Sequence, residues 1–535
     1  MDSSTVLIAG AGPTGLTAAC DLLASGVGAR VVDGATGPAG TSRALGLQPR
    51  GQEVLERAGA LGDLEQRSNP VRHVVVDLGG HTMVRLRLGQ TTKLVTRPGL
   101  LVSQAEIEAG LRRRLAQLGG NVEWGREVRD ARQDAEGVTV QLSEGSTARC
   151  DWLVGCDGAH SRVRKLAGID FPGVQIIERF LLADVHADLP VARDTVAVWL
   201  RGEEMLAAFP LPGRDVWRLM APATEDTPDE LSPEAVVGVL ARRLHQRTGW
   251  SESAVRDAEW TSTFRIHRRL AQRFRQGRML LAGDAAHIHS PLGGQGMNTG
   301  VGDAENLAWK LTLVANDRAR PALLDSYEVE RRPVASEVLE STSAMTRMVV
   351  GESRLARVLR DHVFLPSLNR STVQRRAWEQ ASQLKVSYRS GPLARRDWRL
   401  FFSRPRPGDR VPDLACRRID GSATRLHAEL GSKWVLLSPR PPTRPAALAT
   451  QDCVDLAHQR LGAEQVSVLT PTDAQGRHLL LVRPDAHLGW RGNPSAAALE
   501  GWLTGALDYG HVSRGRPRPA DGHDERVLAA GAVGR

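Results

Sequence analysis

A glycine-rich turn between a short apolar strand and a helix constrains the fold of this 535-residue chain most strongly. Residues 5–9 form an apolar, β-rich run. Gly10, Gly12 and Gly15 follow it, and apolar side chains then recur at helical spacing. The next short apolar run closes at Asp33. This order of strand, glycines, helix, strand and acid is the context of a dinucleotide-binding turn, so the sequence predicts a bound dinucleotide.

Each residue of this turn has its own physical reason. Gly10 permits a tight turn, Gly12 lets the backbone approach a pyrophosphate, and Gly15 allows close packing of the helix on the strand. The free N–H groups and the positive dipole end of the helix are expected to hold the phosphates. Asp33 can accept hydrogen bonds from ribose hydroxyls.

The composition narrows the class of protein. Apolar residues make up 41% of the chain and charged residues 24%, as in globular proteins. The net charge of +9 comes mostly from arginine, but the basic runs are short and lack interleaved aromatic residues, so we expect no nucleic-acid partner. No apolar run reaches the roughly 18 residues of a membrane span, and no signal peptide is visible. We therefore expect no membrane partner and a cytoplasmic location.

The cysteines and histidines predict neither disulfides nor a metal site. None of the 5 cysteines stands in a CxxC pair, and the odd number argues against a disulfide framework. His287 and His289 form an HxH pair, but no third ligand stands out beside them. We therefore expect no bound metal.

Changes of pattern along the chain predict several folded parts. After an antiparallel strand pattern in the middle of the chain, residues 279–282 predict a return to the nucleotide-binding part, whose later helix runs to Pro333. The predicted parts are a discontinuous nucleotide-binding domain (1–171 and 276–395), a substrate-binding domain (172–275, with part of 70–100), a small α/β domain (410–510) and a disordered tail (512–535).

Two further motifs lie far from the glycine turn in the chain. Residues 156–164 are Cys-Asp-Gly-Ala-His-Ser-Arg-Val-Arg, and residues 283–287 are Gly-Asp-Ala-Ala-His, with the loop 291–298 after them. Together with the glycine turn, in order and separation, these motifs resemble those of the class A flavin-dependent aromatic hydroxylases, the para-hydroxybenzoate hydroxylase fold group. The resemblance covers about residues 1–395.

The end of the chain resembles one branch of that family. Residues 406–413 and 481–485 are similar to the aromatic polyketide hydroxylases, whose C-terminal domain is thioredoxin-like and redox-inactive. The resemblance implies an α/β fold with a Rossmann-like FAD-binding domain, a mixed-sheet substrate domain and a C-terminal thioredoxin-like domain. Because no CxxC pair is present, we expect no dithiol chemistry there.

The resemblance also implies which residues hold FAD. Arg43 matches an arginine near the flavin, Gln104 matches a glutamine near the ribityl chain, and the backbone of Val128 matches a contact of the adenine. Asp33 stands where the family usually has the longer Glu, so its hydrogen bond to the ribose would be rearranged. The implied cofactor-binding residues are Gly10, Gly12, Pro13, Thr14, Gly15, Asp33, Arg43, Gln104, Val128, Asp157, Asp284, Pro291, Gly296, Met297 and Asn298.

Some of these residues have specific implied roles. Asp157 lies in a motif that serves both FAD and NADPH, and Asp284 would bond a ribityl hydroxyl. The N–H groups of Met297 and Asn298 would face the pyrimidine edge of the flavin. A reduced flavin is negative at that edge, and a helix N-terminus stabilises it by roughly 0.3–1 kcal/mol per exposed contact. The candidates for NADPH phosphates, with ordinary surface salt bridges as the rival interpretation, are Arg162, Arg164, Arg268 and Arg269.

The activity that the resemblance implies is that of an FAD-dependent, NAD(P)H-consuming monooxygenase. NADPH or NADH would reduce the flavin, and O2 would add at flavin C4a. The resulting (hydro)peroxide would transfer one oxygen atom to a polycyclic aromatic polyketide-type substrate. Both ring hydroxylation and Baeyer–Villiger insertion occur in this branch, and the sequence leaves them open. Arg43 is expected to steer the flavin or the peroxide during catalysis, or else only to bond the cofactor.

Other interpretations stay open at the level of sequence. The FAD motifs alone are also compatible with a flavin-dependent dehydrogenase or reductase. A non-enzymatic FAD-binding accessory protein is a further alternative. The chain is expected to be a monomer or a homodimer.

Overall fold

A computed structural model shows how the predicted elements are arranged. Arg43, Pro291 and the predicted tail 512–535 lie outside the described residues. The described residues are 2–40, 44–201, 204–224, 227–228, 230–289, 294–350, 354–394, 405–439, 443–472 and 478–509.

A largely parallel sheet forms the centre of the first part of the fold. The register of this sheet pairs Ala9 with Gly155, so the glycine turn and the motif at residues 156–164 leave the sheet side by side. Its parallel strands, in spatial order, are Met279–Leu281, Thr147–Gly155, Asp2–Ala9, Ala29–Asp33 and Val122–Trp124. Its antiparallel additions are Arg275–Gln276, Val128–Gln133 and Val138–Leu142.

A second sheet of eight strands stands beside the first. All its neighbouring strands are antiparallel except the pair Thr195–Arg201 and His73–Leu78, which is parallel because the chain reaches that edge by a long connection. Its strands, in spatial order, are His287–Ile288, Val255–Leu270, Gly173–Ala187, Val216–Pro222, Glu204–Pro210, Thr195–Arg201, His73–Leu78 and His81–Arg87. A small third sheet consists of Gly46–Leu47, Gly99–Leu101 and Asn69–Val71.

The C-terminal part carries a separate mixed sheet of six strands. Strands Trp434–Leu437 and Val466–Pro471 are parallel, and the helix between them makes the crossover that such a pair needs. The strands, in spatial order, are Ala423–Arg425, Ala415–Arg417, Val466–Pro471, Trp434–Leu437, Leu479–Val482 and Leu488–Gly492. Together with the first two sheets, this mixed sheet confirms the predicted α/β class.

The helices pack on these sheets and between them. The α-helices are Pro13–Ala24, Pro49–Arg57, Gln104–Gln117, Arg162–Leu166, Pro233–Thr248, Gly296–Ala315, Asp325–Val350, Arg354–Leu359, Leu365–Ser367, Ser371–Ala381, Arg444–Leu461 and Ala496–Leu507. Short 3-10 turns are Glu252–Ala254, Gly283–Ala285, Pro321–Leu324, His427–Glu429 and Ala463–Gln465, and Arg360–Phe364 is a π-turn. None of the described helices combines the length and apolar character needed to cross a lipid bilayer.

Helix Gly296–Ala315 is the central element of the core. Every residue from position 298 to position 314 is buried, which is expected of a helix that packs on all sides. It lies close to helix Pro13–Ala24 because Gly300 has no side chain. A β-carbon at that position would lie 2.4 Å from Thr14 Oγ1. This contact brings the start of one helix to the start of the other.

Candidate cofactor and substrate site

The three glycines of the turn have different steric surroundings. Gly10 has φ +107°, and a β-carbon there would lie 2.3 Å from the carbonyl oxygen of Cys156. A β-carbon at Gly15 would lie 2.0 Å from the carbonyl oxygen of Gly10. A β-carbon at Gly12 would meet no atom within 4 Å. Gly10 and Gly15 are therefore required by the fold, whereas Gly12 leaves open space through which a ligand can approach the backbone.

Helix Pro13–Ala24 begins in this open space. Its N-cap is Gly12, no side chain caps it, and Pro13 at its first position has no N–H to satisfy. The remaining N–H groups of the first turn have no acceptor within the helix. This arrangement is suited to an anionic group such as a pyrophosphate.

Asp33 fixes the glycine turn from the neighbouring strand. One carboxylate oxygen accepts a hydrogen bond from the Ala11 N–H at 2.7 Å, and the other accepts one from the Ala35 N–H at 2.8 Å. Asp33 also lines a cavity of about 760 Å³ together with Val128 and Asp157. Its predicted contact with a ribose stays a prediction.

Asp157 organises the second motif. Its carboxylate accepts hydrogen bonds from the N–H groups of Arg162 at 2.7 Å and Val163 at 3.1 Å, and from the hydroxyl of Ser161 at 2.5 Å. These bonds fix the first turn of helix Arg162–Leu166. Asp157 thus has a local structural role besides any contact with a cofactor.

The second and third motifs are joined directly. Arg164 donates hydrogen bonds to the carbonyl oxygens of Ala285 at 2.9 Å and Ala159 at 3.1 Å, and its guanidinium lies 3.9 Å from the centroid of the Phe171 ring. Thr14 of the first motif packs against Gly283, whose added β-carbon would lie 2.6 Å from Thr14 Oγ1. All three motifs therefore converge at one place.

Asp284 points its carboxyl group into the large cavity described below. The side chain is exposed to that cavity and forms no hydrogen bond with another described residue. Burial within the protein raises the pKa of Asp284, although the nearby His287 partly opposes the rise. A carboxyl group in this position is suited to a hydroxyl donor from a ligand, as the ribityl prediction requires.

The start of helix Gly296–Ala315 lines the same cavity. Its N-cap, Gln295, provides no side-chain hydrogen bond, so the first N–H groups, those of Gly296, Met297 and Asn298, lack helical acceptors. The side chain of Asn298 has a different task. It donates to the carbonyl oxygens of Gly46 at 2.9 Å and Gly294 at 2.8 Å, and it accepts from the Gln48 N–H at 2.8 Å.

Gln104 and Val128 line different cavities of the site. Gln104 lines the large cavity and donates a hydrogen bond to Glu108 at 2.7 Å. Burial raises the pKa of Glu108, and the bond from Gln104 partly opposes that rise. Val128 lines the smaller cavity near Asp33. The structure thus brings the described candidate residues to one continuous site, whereas Arg43 and Pro291 lie outside the described residues.

A buried ionic cluster behind the site was not predicted. Asp303 accepts a hydrogen bond from Arg331 at 2.7 Å and from the Gly283 N–H at 3.1 Å, and it lies 2.6 Å from His287 Nε2. Burial alone would raise the pKa of Asp303, but the charges of Arg331 and His287 outweigh it and lower the pKa. The cluster holds the turn that carries Asp284.

The sequence gives little signal for this cluster. In the sequence, Asp303 looks like an ordinary polar residue of a helix. Its partner Arg331 lies 28 residues further along the chain. The HxH pair is explained in part, because His287 is the partner of Asp303. Among the described residues, no group of three or more His, Cys, Asp or Glu side chains is arranged to hold a metal ion.

Three of the four arginine candidates for NADPH phosphates line one of the two cavities, and Arg268 is not among the lining residues of either. Arg164 and Arg269 line the large cavity, and Arg162 lines the smaller one. Arg162 donates to the carbonyl oxygen of Arg129, and Arg269 donates to that of Phe171. Binding of NADPH phosphates and ordinary surface salt bridges both stay open as interpretations of these arginines.

The two cavities together have the shape and chemistry of an FAD site. The smaller one lies beside Asp33, and the larger one, of about 1610 Å³, lies beside Asp284 and the start of helix Gly296–Ala315. They meet at the glycine turn, where both are lined by Gly12, Cys156, Gly158, His160 and Lys165. The open face of Gly12, the helix starts without a side-chain cap and the carboxyl of Asp284, which has no hydrogen-bond partner among the described residues, fit a dinucleotide that carries a flavin.

The far end of the large cavity is apolar and is built mainly by strands of the second sheet, together with residues of the turn Arg360–Phe364 and of helix Leu365–Ser367. Pockets for a single drug-sized ligand have volumes of about 300–1,000 Å³, so a cavity of about 1610 Å³ leaves room for a second molecule beside a flavin. The apolar side chains of this wall include Leu182, Val196, Val198, Leu200, Met205, Phe209, Met220, Phe264, Phe364 and Leu365.

Two protein families match the sequence. Residues 3–342 match the FAD binding domain family, and residues 404–509 match the C-terminal region of aromatic-ring hydroxylases. The first match alone spans more than half of the chain. The family resemblance expected from the three motifs and from the C-terminal segment is thereby confirmed.

Relatives of this chain from Streptomyces rimosus are monooxygenases. A 6-methylpretetramide 4-monooxygenase is 37% identical over 402 residues, which are 73% of this chain and 71% of the relative. A 12-dehydrotetracycline 5-monooxygenase/anhydrotetracycline 6-monooxygenase of the subspecies rimosus is 35% identical over 517 residues, which are 91% and 95% of the two chains.

A solved structure has the same fold over nearly its whole length. The anhydrotetracycline hydroxylase OxyS from Streptomyces rimosus superposes with a TM-score of 0.74 at 32% identity, covering 94% of this chain and 99% of that chain. Fold, site and sequence agree, and the chain belongs to the FAD-dependent monooxygenases of the aromatic-ring hydroxylase family.

Proposed function

We propose that this enzyme transfers one oxygen atom from O2 to a polycyclic aromatic substrate of the polyketide type and consumes NAD(P)H. A single feature carries the proposal. One cavity has a dinucleotide cradle at one end and an apolar wall at the other, so a flavin and a flat apolar ligand can meet inside it. When FAD is bound and reduced, it supplies the activation of dioxygen.

The residues of the cradle bind and orient the cofactor. The backbone beside Gly12 and the first turn of helix Pro13–Ala24 hold the pyrophosphate, and Asp284 accepts a hydrogen bond from the ribityl chain. The N–H groups of Met297 and Asn298 stabilise negative charge on the pyrimidine edge of the reduced ring. Asp33 and Val128 hold the adenosine end.

The wall of the second sheet excludes water and selects the substrate. Its aliphatic and aromatic side chains suit a fused ring system and provide few hydrogen-bond partners for small polar molecules. The named relatives act on 6-methylpretetramide and on anhydrotetracycline, which supports the same class of substrate for this chain. Ring hydroxylation and Baeyer–Villiger insertion are both compatible with this wall.

The proposal also covers two further residues, the domain limits and the location of the enzyme. Arg43 is proposed to steer the flavin or the activated oxygen, and Pro291 is proposed to contact the cofactor. The domain limits stated from sequence are retained, with strands from the 70–100 region joining the substrate domain. We place the enzyme in the cytoplasm, where NAD(P)H is available.

The experiment that tests the proposal uses labelled oxygen. The purified enzyme, loaded with FAD, is supplied with NADPH or NADH, ¹⁸O2 and a panel of aromatic polyketides, and the products are analysed by mass spectrometry. We expect substrate-stimulated NAD(P)H oxidation, matched oxygen uptake and a product that contains one ¹⁸O atom.

The alternatives predict different results. A flavin dehydrogenase or reductase would oxidise NAD(P)H or the substrate without placing ¹⁸O in the product. An accessory protein would bind FAD but would not oxidise NAD(P)H with any member of the panel. Either outcome would contradict the proposal.

A further inference from the structure

The loop that joins the last two strands of the C-terminal sheet is completely buried. It consists of residues 483–487, Arg-Pro-Asp-Ala-His, and directly follows strand Leu479–Val482. Loops normally run over the surface of a protein, where water satisfies their polar groups. Here Arg483 and Asp485 are each 1% exposed, and His487 is fully buried. We call residues 483–487 the buried loop.

The backbone of the buried loop is strained at Ala486. This residue has φ +59° and is fully buried. A residue with a β-carbon rarely adopts this left-handed conformation, and it persists only where the surrounding structure imposes it. The Ala486 N–H donates to the Arg483 carbonyl at 3.0 Å, and the Ala486 carbonyl accepts from the Val411 N–H at 2.8 Å. The loop is therefore held in one conformation in spite of the strain.

Asp485 connects the buried loop to helix Gly296–Ala315. Its carboxylate accepts hydrogen bonds from Asn306 Nδ2 at 3.0 Å and from Trp309 Nε1 at 3.3 Å. Arg483 Nε donates to the same carboxylate at 3.0 Å and fixes its orientation from within the loop. The two donors of the helix are three residues apart and lie on one face, so a single carboxylate holds that face.

Asp485 also contacts helix Pro49–Arg57. The carbonyl oxygen of Asp485 accepts a hydrogen bond from Arg50 Nη2 at 2.9 Å, and Arg50 is 5% exposed. The same Nη2 group lies 2.9 Å from Glu305 Oε2 on helix Gly296–Ala315. One residue of the C-terminal domain thus bonds to both helices, and an ion pair between the helices closes the contact.

Both helices begin at the cofactor end of the large cavity. Gln48 is the N-cap of helix Pro49–Arg57 and lines that cavity. Its N–H donates to Asn298 Oδ1, in the first turn of helix Gly296–Ala315, at 2.8 Å. Rigid helices carry energetic coupling between the two places that they connect. A shift of these helices at the buried loop would therefore move their starts at the cavity.

We propose that the C-terminal domain positions the cofactor, with Asp485 as the positioning residue that holds both helix starts in place. The inference rests on the proposed function, because that function places the flavin at these starts. It gives a role to a domain that has no CxxC pair and whose described residues line neither the large nor the smaller cavity.

Reduced FAD should be more sensitive to this positioning than oxidised FAD. The N–H groups of Met297 and Asn298 stabilise negative charge, and the flavin ring carries that charge at its pyrimidine edge only when it is reduced. A helix start that moves away from the ring therefore weakens the binding of reduced FAD most. A general loss of stability would not distinguish the two redox states.

The test uses the full-length Asp485→Asn variant. The dissociation constant of oxidised FAD is measured by titration, and the two-electron potential of bound FAD is measured by spectroscopic reduction. We expect the dissociation constant to rise at least about threefold for oxidised FAD and at least about tenfold for reduced FAD. The difference between the two corresponds to a fall of roughly 15 mV in the potential.

Two control variants separate positioning from stability. Val435→Ala truncates a fully buried side chain in the core of the same domain. It should lower the urea midpoint but leave the affinity for both forms of FAD within about twofold of the wild type. Ala486→Gly removes the β-carbon from the left-handed position and keeps the side chain of Asp485, so it should bind FAD like the wild type.

Trp309→Phe provides a second approach to the same carboxylate. It removes one donor of Asp485 from the side of the helix and leaves the buried loop unchanged. The potential of bound FAD should fall in the same direction as in Asp485→Asn, by a smaller amount. This variant decides the question if Asp485→Asn does not fold.

Three results would overturn the inference. The first is a wild-type potential in Trp309→Phe and in a folded Asp485→Asn. The second is an equal weakening of oxidised and reduced FAD in Asp485→Asn. The third is a Val435→Ala variant that loses FAD as strongly as Asp485→Asn. A folded wild-type protein that binds no FAD would instead contradict the proposed function, so the two failures are distinguishable.

Discussion

The two ends of the large cavity are held together by different forces. At the cofactor end, directional bonds between buried charges fix helix Gly296–Ala315. Asp303 accepts a hydrogen bond from Arg331, and Lys310 donates a hydrogen bond to Glu330 at 2.8 Å. At the substrate end, the wall is held mainly by packing among apolar side chains, such as Phe180 and Phe264, whose ring centroids are 5.9 Å apart.

This difference matches what each end must do. A cofactor that stays in place needs N–H groups and a carboxyl at fixed positions, and directional bonds between buried groups provide such precision. An apolar wall adapts to ring systems of different outline, because dispersion contacts depend little on direction. Substitutions at one end should therefore have little effect on the ligand of the other end.

The largest effect is expected at the glycine turn. Gly10→Ala places a β-carbon against the Cys156 carbonyl at a positive φ, which should destabilise the protein by about 2–5 kcal/mol and abolish FAD binding.

In Gly12→Asp the new side chain has open space around its β-carbon, so the melting temperature should stay near that of the wild type. The substitution should nevertheless weaken FAD binding by at least roughly 100-fold, since it sets a carboxylate against the pyrophosphate. Thermal unfolding and FAD titration measure both effects. An Asp at position 12 that leaves FAD binding intact would contradict the cradle.

The ionic cluster behind the cofactor end should give the next largest effect. Asp303→Asn leaves Arg331 and His287 without their carboxylate, and the free energy of unfolding should fall by about 3–5 kcal/mol. Affinity for FAD should fall with it, because the turn of Asp284 loses its support. Asp188→Asn, which removes half of an exposed pair, should change the free energy by less than about 1 kcal/mol. Equal effects of the two substitutions in urea unfolding would contradict the assignment.

A pH dependence is expected from Glu330. Burial alone would raise the pKa of Glu330, but the charges of Arg483 and Lys310 lower it to about 2. Because the folded pKa lies below the ordinary value of about 4.3, the stabilisation is present above that pH. It is lost as the pH falls towards 2, and its size is on the order of 3 kcal/mol. Urea unfolding at a series of pH values should show this loss in the wild type and not in Glu330→Gln. Parallel curves for the two proteins would show that Glu330 is not responsible.

The smallest effect is expected in the apolar wall. Met220→Ala removes a buried side chain that lines the cavity, so the dissociation constant of the aromatic substrate should rise about tenfold. Affinity for FAD should stay within about twofold of the wild type. Calorimetric titrations with each ligand separate the two effects. A large loss of FAD affinity in this variant would remove the distinction between the two ends.

Much of the cofactor end could be predicted from sequence because its signals are local. Gly10, Gly12 and Gly15 lie within six residues of one another, and the strand before them and the helix after them show ordinary periodicity. The three motifs converge in the structure because strands Asp2–Ala9 and Thr147–Gly155 are neighbours. That pairing is a common feature of such sheets and needs no unusual residues.

The remainder depends on contacts between distant residues. Asp303 with Arg331 and Arg218 with Asp184 are pairs whose members look like ordinary polar positions until the strands and helices are assembled. The predicted helix end at Pro333 was wrong, since helix Asp325–Val350 continues through it. A proline costs one backbone hydrogen bond, and the tertiary contacts of neighbouring residues such as Arg331 with the core outweigh that loss.

FAD binding at the glycine turn is tested most directly by titrating the FAD-free protein with FAD, with calorimetry and flavin absorbance as the two measurements. We expect saturation at one FAD per chain in the wild type and in Met220→Ala, with at least roughly 100-fold weaker binding in Gly12→Asp. A folded wild-type protein that never saturates with FAD, or a Gly12→Asp variant that binds FAD like the wild type, would contradict it.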